Sequence, residues 1–368
     1  MLTVDHRARS RADIHPFVRG VMEGFYGRSW SWGTREKYAE FLKANGFGFY
    51  IYAPKDDAYL RRRWGEDWPE SQVESLMQLA SVYSDRGVAW GIGLSPFEIY
   101  LTFDDAAKAA LQKKVETINR LNPDILCVLL DDMKGDLPGL AETQSEVFNF
   151  IADRSTARRF ILCPTYYTTD PILERNFGTM PQGYWEVLGN KLDPSVDLFW
   201  TGPEVCSAEY SESHLKEVAE RLGRKPFIWD NYPVNDSEKR SRLLQLRAYE
   251  NRPYQMEEWT AGHAANPMNQ AWLSQIPLRT LATSYGVKQQ YDPQAALVEA
   301  VEALCDPKMA ETILEDIPLF QDVGLDGMTG DQKAALIQKY DEFQSPLSEE
   351  IVDWLQEGYA FDPACLTE

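Results

Sequence analysis

The run Ile125-Leu126-Cys127-Val128-Leu129-Leu130-Asp131-Asp132-Met133-Lys134-Gly135-Asp136 decides how the rest of the chain is read. Its six leading apolar residues are too few for a typical helix and show no polar face at period two. They read as a strand buried on both sides, the pattern of a parallel sheet covered by helices. The strand stops on two adjacent carboxylates, and Gly135 follows where the chain can turn. A charge at the end of a buried strand must find a partner or take up a proton. In parallel α/β folds the carboxyl ends of the strands are where active sites form. Asp131 and Asp132 therefore read as an acid/base pair. The plainer alternative is that one caps the following helix while the other meets a Lys or Arg.

Outward from this stretch, short apolar runs alternate with segments of helical periodicity, which is the signature of repeated βα units. Further strands are expected at 17–22, 47–53, 88–94, 159–163, 197–201 and 226–230, with a weaker one near 269–273. Helices are expected at 34–45 with Thr34 as N-cap, at 70–86 and 105–121, and at about 142–153, 212–222 and 237–249. Eight such units close into a barrel of roughly 250 residues. The expected fold is thus a (β/α)8 TIM-type barrel over residues 15–286, preceded by a tail (1–14). Beyond it, Pro293–Leu304, Ala310–Ile317, Asp331–Phe343 and Ser348–Glu357 read as helices of a C-terminal appendage, 287–368.

A polar or aromatic cluster follows each expected strand. Glu23-Gly24-Phe25-Tyr26-Gly27-Arg28, Pro54-Lys55-Asp56-Asp57, Ser95-Pro96, the Asp pair, Pro164-Thr165-Tyr166-Tyr167, Thr201-Gly202-Pro203 and Asp230-Asn231-Tyr232 through Asp236 would share one rim of a parallel barrel. Aromatic faces and Asp, Asn and Lys side chains around a hole suit a sugar, whose ring stacks and whose hydroxyls pair. Glycoside hydrolysis also needs two carboxyl groups, one of them protonated. Neighbouring carboxylates titrate as a coupled pair, and the ionised one raises its partner's affinity for a proton.

The 37 Lys and Arg against 57 Asp and Glu leave a formal charge of −20, which repels nucleic-acid phosphate and anionic lipid. Neither nucleic acid nor membrane is an expected partner. The densest basic patch, Arg61-Arg62-Arg63, reads as a solvated turn. Five cysteines, Cys127, Cys163, Cys206, Cys305 and Cys365, are odd in number and widely spaced, which argues against a disulfide framework and for a reducing compartment. The four histidines, His6, His15, His214 and His263, form no ligand-spaced pair, so no metal is expected. With no signal peptide and no apolar run long enough to span a bilayer, the expected setting is cytoplasmic.

Six motifs in order, Gly20-Val21-Met22-Glu23-Gly24-Phe25-Tyr26-Gly27-Arg28, Tyr52-Ala53-Pro54-Lys55-Asp56-Asp57, Leu130-Asp131-Asp132, Cys163-Pro164-Thr165, Trp200-Thr201-Gly202-Pro203 and Trp229-Asp230-Asn231, resemble the catalytic barrel of the O-GlcNAcases, glycoside hydrolase family 84. The likeness covers about residues 17–285. It implies retaining hydrolysis of terminal β-linked N-acetylglucosamine (GlcNAc), in which the sugar's own 2-acetamido oxygen attacks the anomeric carbon to form an oxazoline. It implies no cofactor. Asp131 matches the family residue that orients and polarises the acetamido N–H, and Asp132 its general acid. Gly24, Lys55, Asp236 and Asn266 fall where the family contacts sugar hydroxyls, and Tyr167, Trp229 and Asn231 around its acetamido pocket. The implied partners are β-O-GlcNAc-modified proteins or GlcNAc-containing glycosides. Alternatives are the same chemistry on hyaluronan or chitin fragments, a non-catalytic sugar-binding barrel, or a metal-dependent hydrolase using Asp131, Asp132 and Asp136.

Overall fold

In the computed structural model, which describes residues 16–363, eight parallel strands close into a barrel in chain order. They are β1 (Val18–Glu23), β2 (Phe49–Tyr52), β3 (Ala89–Leu94), β4 (Ile125–Leu129), β5 (Arg159–Cys163), β6 (Asp197–Trp200), β7 (Phe227–Asp230) and β8 (Gly262–Ala265). The barrel closes where Val18 of β1 pairs with Gly262 of β8. All five residues of β4 are buried, as a strand with side chains on both a barrel interior and a helical layer must be. The expected tail 1–14, His6, His15 and Cys365 lie outside the described residues.

The eighth strand is not where the sequence places it. Residues 269–273 lead into the helix Ala271–Val287, and β8 is Gly262-His263-Ala264-Ala265. These residues carry no apolar run because the space beside them is already filled: a Cβ on Gly262 would stand 2.4 Å from Cζ of Phe227 on β7. The small residues of β8 accept a neighbour's large ring, which conceals the strand from any reading of hydrophobicity.

The expected helix at 237–249 is also absent; only a short turn, Arg240–Arg242, is helical. Leu244, Leu246 and Ala248 are buried while Gln245 and Arg247 between them are partly exposed, so the apolar spacing has the period of an extended chain. Elsewhere the helices Trp32–Ala44, Glu70–Asp85, Asp105–Arg120, Leu140–Ala152 and Glu212–Leu222 lie within two residues of the expected ones. Ser31 rather than Thr34 caps the first, its hydroxyl accepting the Thr34 N–H at 3.1 Å. Two short helices after β5, Ile172–Phe177 and Tyr184–Lys191, have no counterpart in the sequence reading.

Pro293–Leu304, Pro307–Pro318, Gly330–Asp341 and Pro346–Leu355 form the C-terminal helices. Their buried Ile313, Tyr340, Ile351 and Trp354, with Phe320 of the intervening turn Leu319–Val323, share one apolar cluster with Leu244, Leu246, Met268, Leu273 and Ile276. The arginine triplet divides: Arg62 and Arg63 are exposed, whereas Arg61 is 1% exposed and lies within the barrel rim. No described helix is long and apolar enough to cross a membrane.

Candidate active site

The carboxyl ends of the strands open on a cavity of about 470 Å³, within the range of small-molecule sites. Gly24 and Tyr26 reach it from β1, Lys55 from β2, Asp131 and Asp132 from β4, Tyr167 from β5, Trp229, Asn231 and Asp236 from β7, and Asn266 from β8. All nine residues singled out in the sequence therefore border one space.

The two adjacent acids have different surroundings. Asp131 is buried, and one of its oxygens forms an ion pair with the buried ammonium of Lys55. Its Oδ1 has no hydrogen-bond partner among the described residues. Burial pushes the Asp131 carboxyl up, but Lys55 and then Arg61 outweigh it and hold the group below the usual carboxylate range. Asp132 is half-buried and takes a left-handed backbone, φ 55°, a region in which Asp is one of the few tolerated non-glycine residues. Its Oδ2 accepts the Tyr26 hydroxyl at 2.9 Å and its Oδ1 the Tyr167 hydroxyl at 3.0 Å. Burial first, and then the Asp132 charge, push both phenols well above their ordinary range, so they remain donors. The plainer sequence alternative is half right: Asp131 does meet a lysine, but neither acid caps a helix, since the next one begins beyond Gly139.

Around the pair the wall is rigidly bonded. Asn266 accepts the Gly24 N–H at 3.3 Å and donates to Asn231 Oδ1 at 3.0 Å, while Asn231 donates to the Val205 carbonyl at 2.8 Å. Asp236 accepts the Tyr26 N–H at 2.9 Å, and burial raises its carboxyl above the ordinary value. Trp229 is buried against Phe199, with ring centroids 5.2 Å apart, and its indole N–H has no partner among the described residues. Lys55 Nζ lies 5.6 Å from the Trp229 ring centroid and 5.8 Å from that of Tyr26.

Other rim acids serve the framework. Glu23 binds Arg35 at 2.6 and 2.9 Å, and Asp57 collects donors from Tyr52, Trp68 and Gln72. Asp230 forms a two-pronged pair with Arg252, both contacts 2.9 Å. Asp136, the third member of the metal alternative, is exposed and does not border the cavity. Among the described residues no three His, Cys, Asp or Glu side chains are grouped so as to hold a metal ion.

Tyr26, within the first motif, bonds both Asp132 and Asp236, a role that the motif alone does not reveal. The cavity also takes in Phe177, Cys206, Arg240 and Phe361, none of which a motif singled out. Cys206 is no reactive thiol: burial pushes it up to about 11.

The sequence profile of the β-N-acetylglucosaminidases matches residues 19–316, most of the described barrel and the first C-terminal helices. The chain belongs to the β-N-acetylglucosaminidase family. Among curated proteins, it is 29% identical over 282 residues to the Protein O-GlcNAcase of Mus musculus, covering 73% of this chain and 30% of the mouse protein. The Rattus norvegicus Protein O-GlcNAcase is 28% identical over the same length. This β-N-acetylglucosaminidase-family chain thus spans less than a third of these relatives. A solved structure of a mutant Thermobaculum terrenum O-GlcNAc hydrolase superposes with a TM-score of 0.77 at 28% identity, covering 92% of this chain and 81% of that one. Coverage of that extent takes in part of the chain beyond the barrel.

Proposed function

We propose that this family member is a retaining β-N-acetylglucosaminidase that removes terminal β-linked GlcNAc, with O-GlcNAc on Ser or Thr of proteins as its substrate, and that the substrate's acetamido oxygen is the nucleophile. The observation that carries the reading is the asymmetry of the carboxylate pair. Asp131 is held ionised by buried cations and keeps one oxygen without a partner among the described residues, and Asp132 is oriented by two phenols at the same cavity.

In this mechanism Asp131 accepts the acetamido N–H through its unpartnered Oδ1. The amide oxygen, made more nucleophilic, forms a bond to C1 as the glycosidic C1–O bond breaks, and Asp132 gives its proton to the departing oxygen. Water then adds to C1 of the resulting ring, whose N–H proton stays hydrogen-bonded to Asp131, while Asp132 takes a proton from the water; the ring's C1–O bond breaks, the acetamido group is restored and a β-configured sugar is returned. Both displacements invert C1, so the product retains its configuration. Tyr167, Trp229 and Asn231 enclose the acetamido group. Asp236, Asn266 and the donors of Lys55 not used by Asp131 meet the ring hydroxyls, and Gly24 leaves room for the sugar against Trp229.

The test compares an aryl β-N-acetylglucosaminide with its N-trifluoroacetyl analogue. A steep fall in kcat with the less nucleophilic amide is expected, and equal rates would refute neighbouring-group participation. Turnover of an O-GlcNAc peptide beside hyaluronan and chitin fragments tests the substrate: faster release from either polysaccharide fragment would refute the protein substrate. The unpaired thiols of Cys127 and Cys163 fit the reducing, cytoplasmic setting that such a substrate requires.

A further inference from the structure

Arg61 lies behind the carboxylate pair and does not border the cavity. It is 1% exposed, a placement that charged side chains adopt only with partners. Its Nη1 donates to Ser95 Oγ at 2.7 Å, beyond β3, and its Nη2 reaches the Asp132 carbonyl oxygen at 3.3 Å, beyond β4. The guanidinium lies over the Phe97 ring, 5.3 Å from its centroid. Three successive strand ends are thus tied by one planar fork, and the tie falls on the residue that holds the left-handed turn.

We propose that Arg61 is a positioning residue for the reaction: it locks the backbone turn that aims the Asp132 carboxyl and supplies, behind Lys55, a second buried positive charge to Asp131. The proposal rests on the reading of Asp131 and Asp132 as the working pair. A lysine would keep the charge but not the fork, because only a guanidinium offers two parallel donors in a fixed plane. The other titratable groups facing the pair are Lys55 on its β2 loop, Tyr26 after β1, Tyr167 and Cys163 from β5, and Asp236 after β7.

The test measures kcat, KM and the acid limb of the kcat–pH profile for Arg61→Met and Arg61→Lys, with Asp131→Asn and Asp132→Asn as controls, using an N-acetyl-β-glucosaminide with a poor leaving group. In Arg61→Met, kcat falls about 10²-fold, the cost typical of a slight misplacement of a catalytic group. KM stays near the parent value and the acid limb moves to higher pH as Asp131 loses a cation. In Arg61→Lys the acid limb stays in place while kcat falls by a smaller factor. A loss of kcat in Arg61→Met with an unmoved acid limb overturns the proposal, because a merely structural arginine gives that result. Should Arg61→Met not fold, a parent kcat in Arg61→Lys overturns it. Parent kinetics in Arg61→Met beside crippled Asp controls sink the Arg61 role alone, whereas active Asp controls sink the reading beneath it.

Discussion

Gly24→Ala is the smallest change that tests whether the cavity's dimensions matter. A Cβ at residue 24 would lie 2.6 Å from Cζ2 and 3.1 Å from Cη2 of Trp229, where ordinary contact begins at 3.4 Å. The indole must therefore withdraw by about 0.8 Å. It cannot do so freely: Trp229 is 5% exposed and backed by Phe199. Overpacking of this kind costs ~1–3 kcal/mol of stability, and a displacement near 1 Å in a positioned site costs about 10²-fold in rate. The expected result is a kcat/KM on an aryl β-N-acetylglucosaminide lower by about 10²-fold, some 2.7 kcal/mol of transition-state stabilisation, together with a lower Tm. Adding Trp229→Phe removes the two ring atoms that collide. It should restore Tm but not activity, since the wall of the proposed acetamido pocket is then missing. Parent kinetics and an unchanged melting curve for Gly24→Ala would refute the claim that Gly24 and Trp229 set the site's width.

The other perturbations separate chemistry from framework. Asp132→Asn should slow a substrate with a poor leaving group by ~10²–10⁴-fold while largely sparing an activated aryl glycoside; equal losses on both, measured as kcat/KM, would exclude general-acid action. Tyr167→Phe removes the donor on Asp132 Oδ1, and a hydrogen bond to a charged group is worth ~1.5–3 kcal/mol, so kcat should fall roughly 10- to 10²-fold; an unchanged kcat would make that contact incidental. Asp230 bears on pH: burial pushes its carboxyl up, but Arg252 and His263 bring it down to about 2. Its pairing therefore contributes about 2–3 kcal/mol above the unfolded carboxylate value near ~3.9, lost as pH falls through the folded one. Chemical denaturation should show Asp230→Asn less stable at neutral pH, with the gap closing between about pH 4 and pH 2; a pH-independent gap would refute the assignment. Gln321→Leu removes the side-chain oxygen that accepts the Leu246 and Arg247 N–H groups, and should lower stability by about 1–3 kcal/mol and raise KM more than it lowers kcat. Unchanged kinetic constants would show that the loop after β7 keeps its shape without Gln321.

Much of this architecture was legible because its signals are local. Ile125–Leu129, buried on both faces, is apolar at every position, and six other strands announce themselves by short apolar runs that an Arg, Asp or Glu interrupts or bounds in four of them. β8 could not, because its small residues make sense only beside Phe227, 35 residues earlier. The site followed the same division. Asp131 and Asp132 stand out as charges ending an apolar run, and the barrel brings Gly24, Lys55, Tyr167, Trp229, Asn231, Asp236 and Asn266 beside them. What a linear reading does not carry is which of two neighbouring side chains points where. Arg61 and Arg62 look alike in sequence, yet one lies beneath the acids and the other in solvent. Asp56 and Asp57 look as reactive as Asp131 and Asp132, yet Asp57 is saturated by Tyr52, Trp68 and Gln72.

The misread segment 237–249 explains why the C-terminal helices matter to a site they barely touch. The loop after β7 carries Asn231 and Asp236, and between the Arg240–Arg242 turn and the short helix Met256–Trp259 it has no regular structure to satisfy its own backbone. Its partners come from elsewhere. The Phe320 carbonyl accepts the Leu244 N–H at 3.1 Å, Gln321 Oε1 accepts those of Leu246 and Arg247 at 2.8 and 2.9 Å, and Trp354 donates to the Ser241 carbonyl at 3.0 Å. Asn235 then passes the constraint toward the site, donating to the Leu243 carbonyl and to Gln270. A strand-to-helix unit would have stabilised itself, as the others around the barrel do. This one exchanges its helix for an extended chain seated on the helices that follow the barrel, so the position of Asp236 depends on residues some 85 to 120 places later in the chain.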